Sequence, residues 1–513
     1  MVNWKLFLGA LTLSSVNSVA SAAKVKNSLT ISGNKFFNTK TKVQEFIKGV
    51  IYRPNVTTND TWDVLADPEG CSIHIPYLQE LGANSIRVPE NYTDSQADHE
   101  DCMNQLAEAN INVFLDIAAV NATKPSYDSF MLDDILAKID SFRNYTNFVG
   151  VFTGNEVVTD NKTTVAAAYV KAITRDIKAY ALSKNMQLYV GYAAGNDPVT
   201  GYAMLQYMNC GNVKEQVDFY AVNLHTWCGD DADYENTGFK DAVQNFTNIN
   251  KPVLLGEFGC LGERPQKFGE VNSLFGKDMV DVFSGGFASE YSQVTEDYGL
   301  VEVDSSGVST LDEFDYLKDL YTNSNPKTAK MDSQESKKSS LSCPRISPDW
   351  QSHTKLPPLP SSKACQCMVD SFTCSLAFGS DDTDPDALER LFKNMCPVPK
   401  CPELSADAAN GVYGTWSMCP EQVRIAIAIN QNYTKTKEEG EKSCEFKNVA
   451  TDIIKSPKVE SSKTCPRLRT KFEQEAEAED ESGVGPSMVL DGTGTWKSWG
   501  AMVVALGFAA LVI

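Results

Sequence analysis

From Phe46 to about Asn323 the chain repeats one unit, a short β-branched and apolar run followed by a longer stretch with helical spacing. The runs are Phe46–Tyr52, Ser85–Val88, Ile111–Ile117, Val149–Thr153, Leu188–Tyr192, Asp218–Trp227, Pro252–Phe258 and Gly286–Tyr291. Between them, Ile75–Leu81, Met131–Phe142 and Val165–Ala181 carry apolar residues at helical intervals. About eight strands alternating with helices over this length predict a (β/α)8 barrel, an α/β fold. A doubly wound open sheet is the rival architecture, but no glycine-rich phosphate loop follows the first run.

In such a barrel the catalytic groups stand at the C-terminal ends of the strands. Two carboxylates occupy that position. Glu156 lies in Gly154-Asn155-Glu156 after the fourth run, and Glu257 lies in Gly256-Glu257-Phe258-Gly259 at the end of the seventh. These strand ends face one another across a barrel mouth, close enough for the separation of about 5 Å that a retaining glycosidase requires. One carboxyl then protonates the leaving oxygen and the other attacks the anomeric carbon. A lone Glu at a strand end is often only a surface or salt-bridged residue; two of them, each beside glycine, on facing strands form a sharper signal. Asn155 adds to it, since an amide there can hold the sugar 2-hydroxyl.

The chain is long for a single core, with 513 residues. Residues 1–22 read as a signal peptide: Lys5, the apolar run Leu6–Val16, then the small residues Ala20-Ser21-Ala22. Residues 23–330 form the expected barrel domain. A Ser-, Pro- and Lys-rich stretch, 331–363, is predicted to be an extended linker, with Cys343 tying it back to the barrel. Residues 364–466 hold Cys365, Cys367, Cys374, Cys396, Cys401, Cys419, Cys444 and Cys465, the density of a small, mostly helical domain stapled by disulfides. Residues 467–492 make an acidic tether, and 493–513 end in the apolar run Trp499–Ile513. Small residues, a polar spacer and an apolar tail form the signal for a glycolipid anchor, with the tail removed. A membrane helix is the alternative, and the run falls short of the roughly 20 residues it needs.

An oxidising, secretory route agrees with an even count of 14 cysteines. Glycosylation sequons begin at Asn55, Asn59, Asn91, Asn121, Asn144, Asn161, Asn245 and Asn432. The formal net charge of -21 argues against nucleic acid as a partner. His74, His99, His225 and His353 are scattered without a metal-ligating spacing, so neither a metal nor another cofactor is expected.

The segments Asn144-Tyr145-Thr146-Asn147, Gly154-Asn155-Glu156, Asp218-Phe219-Tyr220, Trp227-Cys228-Gly229 and Tyr298-Gly299-Leu300-Val301 resemble the fungal β-1,3-glucanosyltransferases of glycoside hydrolase family 72. The resemblance covers about Phe36 to Pro326. It implies Glu156 as acid/base, Glu257 as nucleophile, and the disulfides Cys71 with Cys102, Cys210 with Cys343 and Cys228 with Cys260. It also implies β-1,3-glucan as both donor and acceptor, held by an enzyme anchored to the outer leaflet of the plasma membrane; a monomer is expected. Tyr52, Asp116 and Tyr291 stand at matching places and are expected to touch substrate. The chain departs from the family at Arg53, at Pro89, at His225 where a sugar-contacting Tyr is common, and at Ser292-Gln293-Val294. His225 is a candidate for substrate contact or for a structural polar contact. With Gly411-Val412-Tyr413-Gly414 and Asn432-Tyr433, the cysteine-rich segment resembles carbohydrate-binding module family 43, in which Tyr413, Trp416 and Tyr433 would form a stacking platform. A β-glucan hydrolase of the same clan and a non-catalytic glucan-binding wall protein are the alternative functions.

Overall fold

The computed structural model describes residues 27–453 apart from 55–62, 230–231, 261, 263, 294–297, 305–306, 334–340, 378–383, 397–400, 439–443 and 447–448. The signal peptide, the acidic tether, the anchor tail, Cys465, Asn55 and Asn59 lie outside the described residues. Eight parallel strands close a barrel: β1 (Ile47–Ile51), β2 (Ser85–Val88), β3 (Asn112–Asp116), β4 (Phe148–Asn155), β5 (Tyr189–Ala194), β6 (Phe219–Leu224), β7 (Val253–Phe258) and β8 (Phe283–Ala288). Helices α1 (Pro68–Leu81), α2 (Glu100–Glu108), α3 (Ser129–Phe142), α4 (Ala167–Ser183), α5 (Thr200–Asn209), α6 (Phe239–Phe246), α7 (Glu270–Leu274) and α8 (Asp312–Asn323) follow the strands in turn. Most strand boundaries shift by one or two residues from the sequence expectation, and the larger shifts are in β6 and β8. Strand β8 begins three residues before Gly286, because Gly285 and Gly286 let it approach its neighbours: a Cβ on Gly285 would stand 2.0 Å from the Ile47 carbonyl oxygen. Strand β6 stops at Leu224, leaving His225, Thr226 and Trp227 in the loop above the mouth.

The barrel interior is filled by aromatic rings. Phe114, Phe152, Phe219 and Phe287 meet with centroids 5.1–6.4 Å apart, mostly edge to face. Glycine on adjacent strands makes room for them, since a Cβ on Gly191 would lie 2.3 Å from the Phe219 ring. An N-terminal hairpin, Leu29–Ser32 with Lys35–Asn38, closes the floor. Its Phe36 packs 6.3 Å from Phe114 and 6.1 Å from Phe219. Each such buried ring contributes about 1.5–3 kcal/mol of apolar transfer energy.

The stretch after the barrel is extended, as its composition suggests, but its described part 341–363 is docked rather than free. Trp350 is 2% exposed and lies 5.2 Å from Tyr207. The backbone N–H of Ala168 donates to Ser352 Oγ (3.0 Å), the Tyr207 hydroxyl to the His353 carbonyl (2.6 Å), and Arg175 Nη1 to the Pro357 carbonyl (2.9 Å). A single Trp in a polar stretch has no periodicity to reveal that it is buried. The Cys210–Cys343 disulfide closes 133 residues, worth about 5 kcal/mol in the chain-entropy account.

Helices α9 (Ser362–Asp370), α10 (Pro385–Met395) and α11 (Glu421–Glu438) build the cysteine-rich module with two short two-stranded sheets. Disulfides Cys365–Cys419, Cys374–Cys444 and Cys396–Cys401 staple it, and Cys367 is also disulfide-bonded. The module leans on the barrel through α3, where the Ser129 N–H donates to the Met418 carbonyl (3.1 Å) and Ser362 Oγ to Asp133. The expected stacking platform is not formed. Trp416 and Tyr433 are each 6% exposed in the module core, and the Tyr413 hydroxyl donates to the Lys355 carbonyl (3.2 Å). A domain this small needs its large rings inside.

Candidate active site

Strand β4 ends at Asn155, and Glu156 follows with φ 49°, a left-handed turn that redirects the chain at the mouth. Its backbone N–H donates to the Ala193 carbonyl of β5 (2.9 Å), which holds that turn against the barrel. Glu257 is the penultimate residue of β7. Two amides bridge the carboxylates. Asn223 Nδ2, from β6, donates to Glu156 Oε1 (2.7 Å) and Asn155 Oδ1 (3.0 Å), while Asn155 Nδ2 donates to Glu257 Oε1 (2.9 Å). Gly256 makes room for this bridge, since a Cβ there would meet Asn223 Oδ1 at 2.5 Å. Asn155 thus faces the second carboxylate in addition to the open cleft.

Arg87 and His225 flank Glu257. Arg87, 1% exposed, sends Nη1 to within 3.8 Å of Glu257 Oε1 and donates it to the Gly256 carbonyl (3.0 Å). Its Nε and Nη2 both donate to Asp116 at 2.8 Å, and its guanidinium lies 4.2 Å from the Phe152 ring centroid. His225 Nε2 lies 3.6 Å from Glu257 Oε2, and its Nδ1 is 2.9 Å from the Gly259 carbonyl. Burial would raise the Glu257 pKa, but His225, Arg87 and the Asn155 amide together outweigh it and hold the carboxyl down at about 2. Glu257 is a carboxylate throughout the working range.

The structure divides the other expected contacts. Tyr52 and Tyr291 are 1% and 0% exposed, packed together at 5.4 Å, with the Tyr291 hydroxyl 3.1 Å from His74 Nδ1. Neither ring offers a face to a sugar; both support the wall behind the mouth. Asp116 is 8% exposed and accepts from Arg87 with both oxygens, which holds that cation in place. Arg53, 28% exposed at its side chain, pairs with the fully buried Glu290 after β8. Of the sequons within the described residues, Asn91, Asn121, Asn144, Asn161 and Asn245 are exposed and Asn432 is half-buried.

Asn223 and Arg87 were not singled out by the sequence as parts of the site. Asn223 interrupts the apolar run of β6, and Arg87 puts a charge inside the short strand β2; a polar or charged side chain within a barrel strand is the signal that could have found them. Asn223→Ala removes the amide that joins both carboxylates. A fall in kcat on the order of 10²-fold is expected, with an unchanged thermal unfolding midpoint within a few degrees.

Retaining glycoside chemistry asks for two carboxyls in one mouth, one kept ionised to attack and one placed to exchange a proton. A parallel barrel with this pair at the ends of its fourth and seventh strands falls in that class of enzyme. The chain belongs to the glucanosyltransferase family, glycoside hydrolase family 72, whose model matches residues 18–325. An X8 domain matches residues 373–451, within the cysteine-rich module. The 1,3-beta-glucanosyltransferase of Arthroderma benhamiae is 35% identical over 436 residues, 82% of this chain and 79% of that protein. The 1,3-beta-glucanosyltransferase gas1 of Schizosaccharomyces pombe is 34% identical over 435 residues, covering 82% and 78%. The structure of Saccharomyces cerevisiae Gas2p in complex with laminaripentaose is 30% identical, with a TM-score of 0.76 over 83% of this chain and 97% of that one.

Proposed function

We propose that this chain cleaves β-1,3-glucan with retention and transfers the new reducing end to another β-1,3-glucan chain, lengthening wall glucan. The amide-bridged pair Glu156 and Glu257 carries the reading, supported by membership of the family and by the laminaripentaose held in the Gas2p structure. Glu257 attacks the anomeric carbon as the bond to the leaving oxygen breaks, and Glu156 supplies that oxygen with a proton. The glycosyl ester on Glu257 is then opened by an acceptor hydroxyl, whose proton passes to Glu156 as the carboxylate is released. Transfer exceeds hydrolysis where the acceptor sugar reaches the ester before water does.

The address segments complete the proposal: 1–22 directs secretion, 467–492 tethers, and 493–513 is exchanged for a glycolipid that leaves the protein on the outer face of the plasma membrane. Among the described residues no helix is long and apolar enough to cross a membrane. Residues 364–466 act as a module held beside the barrel, and the protein works as a monomer carrying sugars at its exposed sequons. Incubating the purified protein with a reduced laminari-oligosaccharide and sizing the products tests the reaction. Products longer than the donor are expected. Only shorter products would make the chain a hydrolase, and an unchanged donor would leave it a glucan-binding protein.

A further inference from the structure

Resting on the proposed glycosyl transfer, we propose that His225 is a positioning residue for Glu257, an imidazolium fixed above β7 that keeps the nucleophile aimed. Both ring nitrogens face acceptors. The Gly259 carbonyl, 2.9 Å from Nδ1, can only accept, and so can the Glu257 carboxylate, 3.6 Å from Nε2. At 3.6 Å the second contact is an ion pair rather than a hydrogen bond. A neutral imidazole carries one N–H and would leave one of these acceptors facing a lone pair; the doubly protonated ring satisfies both.

The geometry is braced. The Cys228–Cys260 disulfide joins the loop that carries His225 to the loop that follows Glu257, and the bond to Gly259 fixes the ring between them. Among the described residues three carboxyl groups lie near the ring: Glu257 from β7, Glu156 from the end of β4, and Glu270 from the start of α7, whose burial pushes its carboxyl up to about 7 so that it is not a fixed negative charge. Glu270 is 2% exposed, and its Oε1 has no hydrogen-bond partner among the described residues. Burial pulls the ring toward neutrality, but Glu257, the Gly259 carbonyl and Glu156 win, and its pKa is raised above the ordinary histidine range. Arg87 approaches Glu257 Oε1 from β2 and His225 approaches Oε2, so the carboxylate sits between the two.

The sign follows. Below the raised His225 pKa the ring is charged and Glu257 is held; as pH climbs through that value the charge is lost and the attack slows. Glu156 must hold a proton for the first step, so both enzymes lose kcat/KM at alkaline pH and the ratio of wild type to variant isolates the His225 contribution. His225→Gln is expected to lower kcat/KM on a laminari-oligosaccharide on the order of ten-fold at neutral pH, the size of one lost charge-assisted contact, with the ratio falling toward one as the wild-type ring loses its charge. A ratio of one at neutral pH, or one that does not change with pH, would overturn the proposal. A second readout is independent of substrate. The ring carbon and proton signals of His225, identified as those missing in His225→Gln, should titrate at lower pH in Glu257→Gln than in wild type. An unchanged midpoint in Glu257→Gln would also overturn it. Failure of the wild type to act on glucan would instead sink the proposed function, and the titration would still report on the pair.

Discussion

Glu257→Gln is expected to reduce glucan turnover by at least about 10⁴-fold in a protein that still folds, with a lowered unfolding midpoint, because the amide keeps the shape of the carboxylate but loses the charge that Arg87 and His225 stabilise in the folded state. No ester can form on the amide under ordinary turnover. Asn155 Nδ2, 2.9 Å from Oε1, still has an acceptor in the Gln side-chain oxygen, so the local bonding survives. Arg87 and His225, in contrast, lose the negative charge between them. Glu156→Gln should lose a comparable factor on unactivated glucan, since the leaving oxygen then departs without a proton. It should recover much of its first step on a donor whose leaving group needs none. Product sizing for turnover and circular dichroism for the fold separate the two effects. Near-normal turnover by either folded variant would remove that residue from the mechanism.

The second large effect is at Arg87. Arg87→Met is expected to destabilise the fold by about 3–5 kcal/mol, the usual result of stranding one member of a buried ion pair. Asp116 would be left behind at 8% exposure with both of its guanidinium donors gone. Burial already pushes the Asp116 carboxyl above its ordinary pKa even with Arg87 present, so the stranded acid would shift further toward its neutral form. Pairing Arg87→Met with Asp116→Leu should restore much of the lost stability, since the unpaired carboxylate is then removed as well. Activity should not return with it, staying roughly 10²-fold below wild type, because Glu257 still lacks the cation 3.8 Å from its Oε1. Urea unfolding and kcat/KM on the same two proteins make the comparison. Recovery of activity along with stability would show that Arg87 acts only through the fold.

What could be read before the structure was what periodicity carries. Seven barrel strands were visible as short apolar or β-branched runs and the eighth only in part, since β8 starts at Phe283 and its run was read from Gly286; the two carboxylates stood out because glycine and a strand end frame each of them. The failures share a cause: a single residue whose role depends on what lies across the barrel. Tyr52 and Tyr291 sit at strand ends near the mouth, yet they turn toward each other and His74 rather than toward solvent. Asn223 hides inside the apolar run Phe219–Leu224. Trp350 lies in a stretch whose composition argues for freedom, and Trp416 lies where an aromatic suggests a sugar platform; both are buried. Strand position is local information, whereas side-chain direction at the rim is settled by neighbours from distant segments.

The hairpin beneath the barrel has a consequence for how a polymer can approach. With Phe36 wedged under Phe114 and Phe219, the cylinder is stoppered at its base and packed with rings along its axis. Among the described residues the barrel axis is filled, and Glu257 stands at the C-terminal end of β7, on the side away from that hairpin. A long glucan therefore meets the protein sideways, laid over the rim, and neither of its ends has to enter for a bond in its middle to reach the carboxylates.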